Sequence, residues 1–211
     1  MTVLRTTALA SAVVLAGAAP LAAQETPFRV SQGHLTSAMQ PGIQLTIDTS
    51  LSYVGSQRWI LYDVAQAEQH LYVQRTAAGV RRFLWVQFEE YIPASNGRYD
   101  YSNDAPIAAF GRTWRVSPEI WDVPTTEKRP ASDGAHARQL LRDHGITLPA
   151  QMIYERFIYL PDSTNRRELM VIYAEDAASA DVSAKTEAER QAMFAEHQRR
   201  ALRSFALAGI P

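Results

Sequence analysis

The chain contains no cysteine. Disulfides are therefore excluded, as is lipid attachment at a cleavage-site cysteine, and stability has to come from an apolar core of adequate size. A basic surplus is missing too: 21 Lys and Arg stand against 22 Asp and Glu, for a formal net charge of −1. That balance offers no electrostatic footprint for nucleic acid. The pairs Arg81-Arg82, Arg166-Arg167 and Arg199-Arg200 read instead as solvated residues near turns and a helix end. No G-x-S-x-G, G-x-G-x-x-G, phosphate loop or H-E-x-x-H occurs, which speaks against the common hydrolase and nucleotide folds. The histidines at 34, 70, 136, 144 and 197 show no paired metal spacing. No cofactor and no metal site is expected.

What is present begins with an address. Arg5 precedes the apolar run ALASAVVLAGAA, which is followed by Pro20, Leu21, Ala22, Ala23, Gln24 and the acidic Glu25. A positive start, a short apolar core and small residues at the exit make a secretory signal peptide, cleaved after Ala23 or Gln24. The apolar core is far shorter than the ~20 residues of a membrane span, so the expected product is soluble, with no span left after cleavage. The organisation expected is a signal peptide over 1–24 and one domain over 25–211. An Ala-rich leader without cysteine points to a bacterial periplasmic or secreted protein. With 46% hydrophobic and 20% charged residues, the chain has a globular rather than a disordered composition.

The most informative stretch runs from Glu68 to Ile92, where EQHLYVQRT and VRRFLWVQFEEYI flank a turn at Ala77-Ala78-Gly79. Aromatic and β-branched runs about a short Gly-containing turn predict an antiparallel hairpin. Side chains alternate between faces along a strand. Leu84, Val86, Phe88 and Ile92 share one face, interrupted by Glu90, and Phe83, Trp85, Gln87, Glu89 and Tyr91 share the other. A turn at Ala78-Gly79 puts Leu71 and Val73 with the first set and His70, Tyr72 and Gln74 with the second. A turn longer by one residue would swap them. Rings mixed with a few polar groups are how small-molecule sites are lined. The candidate ligand-binding set is therefore His70, Tyr72, Trp85, Gln87, Glu89 and Tyr91, with Arg156 from a second hairpin. The bland alternative is a solvent-facing sheet surface.

Elsewhere Ile43, Leu45 and Ile47 alternate with Gln44, Thr46 and Asp48, as in a half-buried strand. Arg58 to Val64 is another strand candidate, with a helical turn over Tyr62 to Gln69 as its rival. Prolines at 106, 118, 124 and 130 are expected to prevent any long element between Pro93 and Pro130. Arg112 to Val116 could form a short strand there, with Tyr99, Tyr101, Trp114 and Trp121 either packed over the sheet or lining a site. Ser132 to His144 predicts a surface helix capped by Ser132 or Asp133 and closed by Gly145. Gln151 to Leu160 and Arg166 to Glu175 predict a second hairpin, centred on Ser163. A final helix from Thr186 to Ala208 opens with a Thr186/Glu189 capping box and carries an apolar stripe of Phe194, Ala201, Leu202, Phe205 and Ala208. The fold class expected is α+β: an antiparallel sheet of two long hairpins plus N-terminal strands, covered by the C-terminal helix.

Two groupings bear on chemistry. Asp100, Ser102 and Asp104 place oxygens as a calcium loop begins, but Ala105 stands where that loop needs Gly and Gly111 where it needs Glu, so turn chemistry explains them. Glu89, Glu90 and Glu155 interrupt apolar strands. They predict an ion pair with Arg156, Glu89 or Glu90 being the better placed partner, or an acid and a base if burial separates their pKa values. The function expected is an exported, non-enzymatic domain binding a small or apolar ligand, or a partner protein, on its aromatic sheet face. The alternative is a metal-independent hydrolase or lyase using the strand carboxylates.

Overall fold

A computed structural model describes residues 28–31, 33–123, 129–177 and 185–208; the expected signal peptide lies outside them. Among the described residues the strands form two antiparallel sheets. The smaller starts with two three-residue strands, β1 (Arg29–Ser31) and β2 (His34–Thr36), followed by β3 (Gln44–Ile47). In β3 the expected alternation holds, with Leu45 and Ile47 buried and Gln44 and Thr46 exposed. The larger sheet contains β4 (Ser52–Leu61), β5 (Ala65–Thr76), β6 (Gly79–Tyr91), β7 (Ala105–Ala109), β8 (Arg112–Asp122), β9 (Gln151–Tyr159) and β10 (Arg167–Asp176). Its order is β4-β5-β6-β10-β9-β8-β7, so the two predicted hairpins lie side by side through β6 and β10.

Helix α1 (Asp133–Asp143) lies between β8 and β9 in the chain, and α2 (Glu187–Ser204) leads into β11 (Phe205–Ala208), which pairs with β3 to complete the smaller sheet. Both faces of the larger sheet are covered. One core joins it to the smaller sheet and α2 through Leu45, Leu84, Phe88, Trp114, Phe157, Ala201 and Phe205. The other joins it to α1 through Leu71, Phe83, Trp85, Met170, Ala137 and Leu141. This double covering explains why β5 and β6 are buried almost without a break instead of alternating.

The structure corrects several expectations. Near the first hairpin turn Arg75 faces Val80, yet from Gln74 onward the partner is Arg82, so Arg81 is an extra residue, a β-bulge. One extra residue reverses the faces: Leu71 sits opposite Trp85, and His70 opposite Val86. The second hairpin keeps its faces but slides by two residues, with Arg156 opposite Ile172. Tyr62 to Gln69 is not helical: Tyr62 and Asp63 take left-handed φ values of 48° and 60° in the turn between β4 and β5. Strand β8 runs through Pro118 because β7 pairs with it only as far as Val116, so no neighbour on that side asks for the missing N–H. α1 lies at the surface as expected, with a small buried face of Ala135, Ala137 and Leu141. Its Ser132 cap and the left-handed Gly145 are as expected. The final helix keeps its capping box but stops at Ser204, and Phe205 and Ala208 belong to a strand. Its buried positions are His197, Ala201 and Ser204.

Candidate functional site

On the face of the larger sheet that carries α1, the odd-numbered residues of β6 meet their counterparts on β5 and β10. Gln69 lies opposite Gln87, and Glu89 opposite Glu168. These are the polar interruptions in otherwise apolar strands, and they are buried: Gln69 and Gln87 are 0% exposed, Glu168 2% and Glu89 4%. Buried polar groups need partners. Here the amides form a directional chain. The Gln57 Nε2 donates to Gln69 Oε1 at 2.7 Å, the Gln69 Nε2 to Gln87 Oε1 at 2.8 Å, and the Gln87 Nε2 to Glu89 Oε1 at 2.5 Å. Trp85 Nε1 also donates to Gln87 Oε1, at 2.8 Å.

The carboxyls receive their remaining donors from the irregular segment after β6. Tyr99 OH donates to Glu89 Oε2 at 2.9 Å, and Tyr101 OH to Glu168 Oε2 at 2.6 Å. Tyr91, Tyr99 and Tyr101 form a row of rings, with centroids 4.6 and 6.4 Å apart. The segment is pinned by Arg166, whose guanidinium donates to the carbonyls of Tyr91, Ile92, Ser95 and Gly97. A Cβ at Gly97 would overlap the Tyr91 ring, so a glycine is needed for this close approach. Arg166 is thus not a solvated cation, and neither are Arg82 and Arg200, which pair with Asp48 and Glu175.

Two carboxyls directly opposed across a strand pair repel when ionised. Burial, then the charge of Asp133, pushes Glu89 up to about 7 against the opposing hydrogen bonds from Gln87 and Tyr99. Burial, then the charge of Glu89, pushes Glu168 up to about 8. Burial and the same carboxyls hold the Tyr99 and Tyr101 hydroxyls well above the ordinary tyrosine range, so both remain neutral donors. The pair titrates as a unit. Near neutrality it can hold a proton and release it to a bound group.

Arg156 is not the counter-ion of Glu89 or Glu90. It pairs with Asp104 at 2.9 Å and lies over the Tyr101 ring, 5.4 Å from its centroid. With side chains 31% and 20% exposed, the pair sits at the edge of the site rather than inside it. Asp100 accepts the Ser102 N–H in a local turn. Glu90 is exposed, and Glu155 lies on the opposite face, accepting from Gln198.

Of the predicted set, Trp85, Gln87, Glu89, Tyr91 and Arg156 share this face. His70 and Tyr72 do not, because the Arg81 bulge turns them to the other side. There His70 Nε2 meets the fully buried Glu68 at 2.9 Å, Arg58 holds the second Glu68 oxygen at 2.7 Å, and Tyr53 OH reaches His70 Nδ1 at 3.2 Å. The residues missed are Gln69 and Glu168, while Tyr99 and Tyr101 take the second of the two places expected of them, lining the site. For the missed pair a signal existed, a polar residue inside an apolar run; for the tyrosines, the sequence marks an aromatic loop but not which groups it contacts. No protein-family model matches the chain, and no curated protein and no solved structure matches it significantly. The site therefore has to be read from its own chemistry.

Proposed function

We propose that this protein is an exported binding domain whose ligand contacts the Glu89/Glu168 face of the larger sheet, with Tyr99, Tyr101 and Arg156 at its edge. The observation behind this reading is the carboxyl pair itself: two glutamates opposed across neighbouring strands, 4% and 2% exposed, each hydrogen-bonded to neutral donors. Apolar residues at these positions would stabilise a sheet covered on both sides more than buried acids do. A polar, proton-holding pair at these positions therefore supports a role in contacting a ligand. Carboxyls flanked by aromatic rings suit a small molecule with amine or hydroxyl groups, which would donate to the pair while the rings cover its carbon skeleton. Export rests on the leader pattern at the N-terminus.

A second reading, a metal-independent hydrolase or lyase, draws on the pKa values near neutrality, which are those a shared acid and base require. One experiment addresses both. Melting curves of the parent, Glu89→Gln and Glu168→Gln are recorded against a panel of small amines and polyols at pH 7.5, and the same proteins are assayed for turnover of chromogenic esters and glycosides. Binding is supported by a ligand that raises the parent's Tm and leaves both variants unmoved. A ligand acting equally on all three would place binding elsewhere, and turnover abolished by both substitutions would favour the enzyme.

A further inference from the structure

On the opposite face of the larger sheet, away from the carboxyl pair, a cavity of about 670 Å³ opens between the hairpin end of β5 and β6, the end of β10 and the last turn of α2. That volume falls within the roughly 300–1,000 Å³ of small-molecule sites. Four arginines line it: Arg81 and Arg82 from β6, Arg200 and Arg203 from α2. Two of them are already engaged in the wall. Arg82 donates to Asp48 at 3.1 Å and to Gln74 at 2.7 Å, and Arg200 grips Glu175 through its Nε and Nη2, both at 2.8 Å. Arg82 and Glu175 also face each other across β6 and β10, which makes one continuous row of paired charge.

Arg81 and Arg203 are different. Among the described residues Arg81 has no carboxylate partner, and Arg203 reaches only Glu196, at 4.0 Å. Asp176 is the remaining carboxylate at the wall, against these two cations, so the surplus is positive. The position of Arg81 is set by the bulge, which leaves it without a partner on β5. Bulges occur beside sites, where they re-aim a side chain. A guanidinium fork matches the oxygens of a phosphate group, and a concave wall focuses the field of the surplus charge. Two forks arriving from different elements suit a tetrahedral oxyanion, with acceptors on every side, better than a planar carboxylate.

We propose that this cavity is an anion site that holds the phosphate group of a small phosphorylated molecule between Arg81 and Arg203, with the Arg82–Asp48 and Arg200–Glu175 pairs forming its wall. The site is independent of the carboxyl face and of any ligand bound there. Titration calorimetry at low ionic strength, with inorganic phosphate, phenyl phosphate and acetate as probes, tests it on the parent and on Arg81→Ala/Arg203→Ala. Both residues are exposed, so the double variant should fold, which circular dichroism checks. The expected result is saturable binding of phosphate and phenyl phosphate to the parent, weakened at least tenfold in the double variant, with acetate bound more weakly than phosphate. Absence of saturable binding by both phosphate probes, unchanged affinity in the double variant, or acetate bound as tightly as phosphate would each overturn the assignment.

Discussion

Glu89 and Glu168 show how much a single position depends on its neighbours. Each would be an ordinary surface acid in water; side by side under Tyr99 and Tyr101, both hold their protons to about 7 and about 8. An acid whose folded pKa lies above its unfolded value stabilises the fold below the unfolded pKa, and that contribution fades as pH rises through the folded pKa. Acids held low act in the opposite sense. Burial raises Glu68 and Glu175, but hydrogen bonds from His70 to Glu68 and from His197 and Arg200 to Glu175 outweigh it, so both lie below the ordinary value. Their stabilisation is lost on acidification. Stability should therefore be highest near pH 5 and decline towards pH 9. Glu89→Gln/Glu168→Gln removes the titrating pair, so urea midpoints should lose most of that decline, a difference of several kcal/mol at pH 9, since each unit of pKa difference between folded and unfolded chain is worth about 1.4 kcal/mol. Parallel pH profiles for parent and variant would show that the pair is not the titrating unit. Arg156 carries the converse lesson. Paired with Asp104 at a half-exposed edge, it contributes about 0–1 kcal/mol, far below a fully buried ion pair.

The C-terminal segment joins two elements whose boundary is set by packing. Helix α2 ends where Phe205 takes φ −149° and ψ 160° and β11 begins. Phe205 is 3% exposed, with the rings of Phe110, Trp114 and Phe157 centred 5.4 to 5.8 Å away. Phe194 belongs to the same apolar stripe in sequence but is only half-buried. Phe205→Ala should lower stability by about 3–5 kcal/mol, whereas Phe194→Ala should cost about 1 kcal/mol or less. Urea denaturation measures both. Equal losses would mean that the stripe packs as one continuous helix face.

The larger sheet lies between two unequal covers. One side carries a second sheet and α2; the other carries α1, whose buried residues are Ala135, Ala137 and Leu141. A helix anchored by so few apolar side chains opens more easily than strands bonded on both edges. Amide exchange should be faster in α1 than in the central strands β6 and β10, and equal protection would mean that α1 opens only with global unfolding.

The central strands and both helices were legible in local patterns. Alternation at Ile43 to Ile47, the two hairpins, the Ser132 cap and the Thr186/Glu189 box all depend on residues close in the chain. These features place the molecule in the α+β class. Trp85, Gln87 and Tyr91 share the face with Glu89 because alternation along β6 follows from the chain, whereas Arg156 joins them only through the β6-β10-β9 register. His70 and Tyr72 were lost to one bulged residue, Arg81, since every side chain beyond a bulge changes sides. Nothing local announces that bulge. Nor could any local pattern set Glu168 against Glu89, 79 positions earlier, or bring Tyr99 and Tyr101 over both, because such contacts form only when β10 docks beside β6 and Arg166 fastens the intervening segment. The neighbours of a residue along its own strand follow from the chain. Those across the sheet, which here create the carboxyl pair, follow from how the strands are ordered and covered.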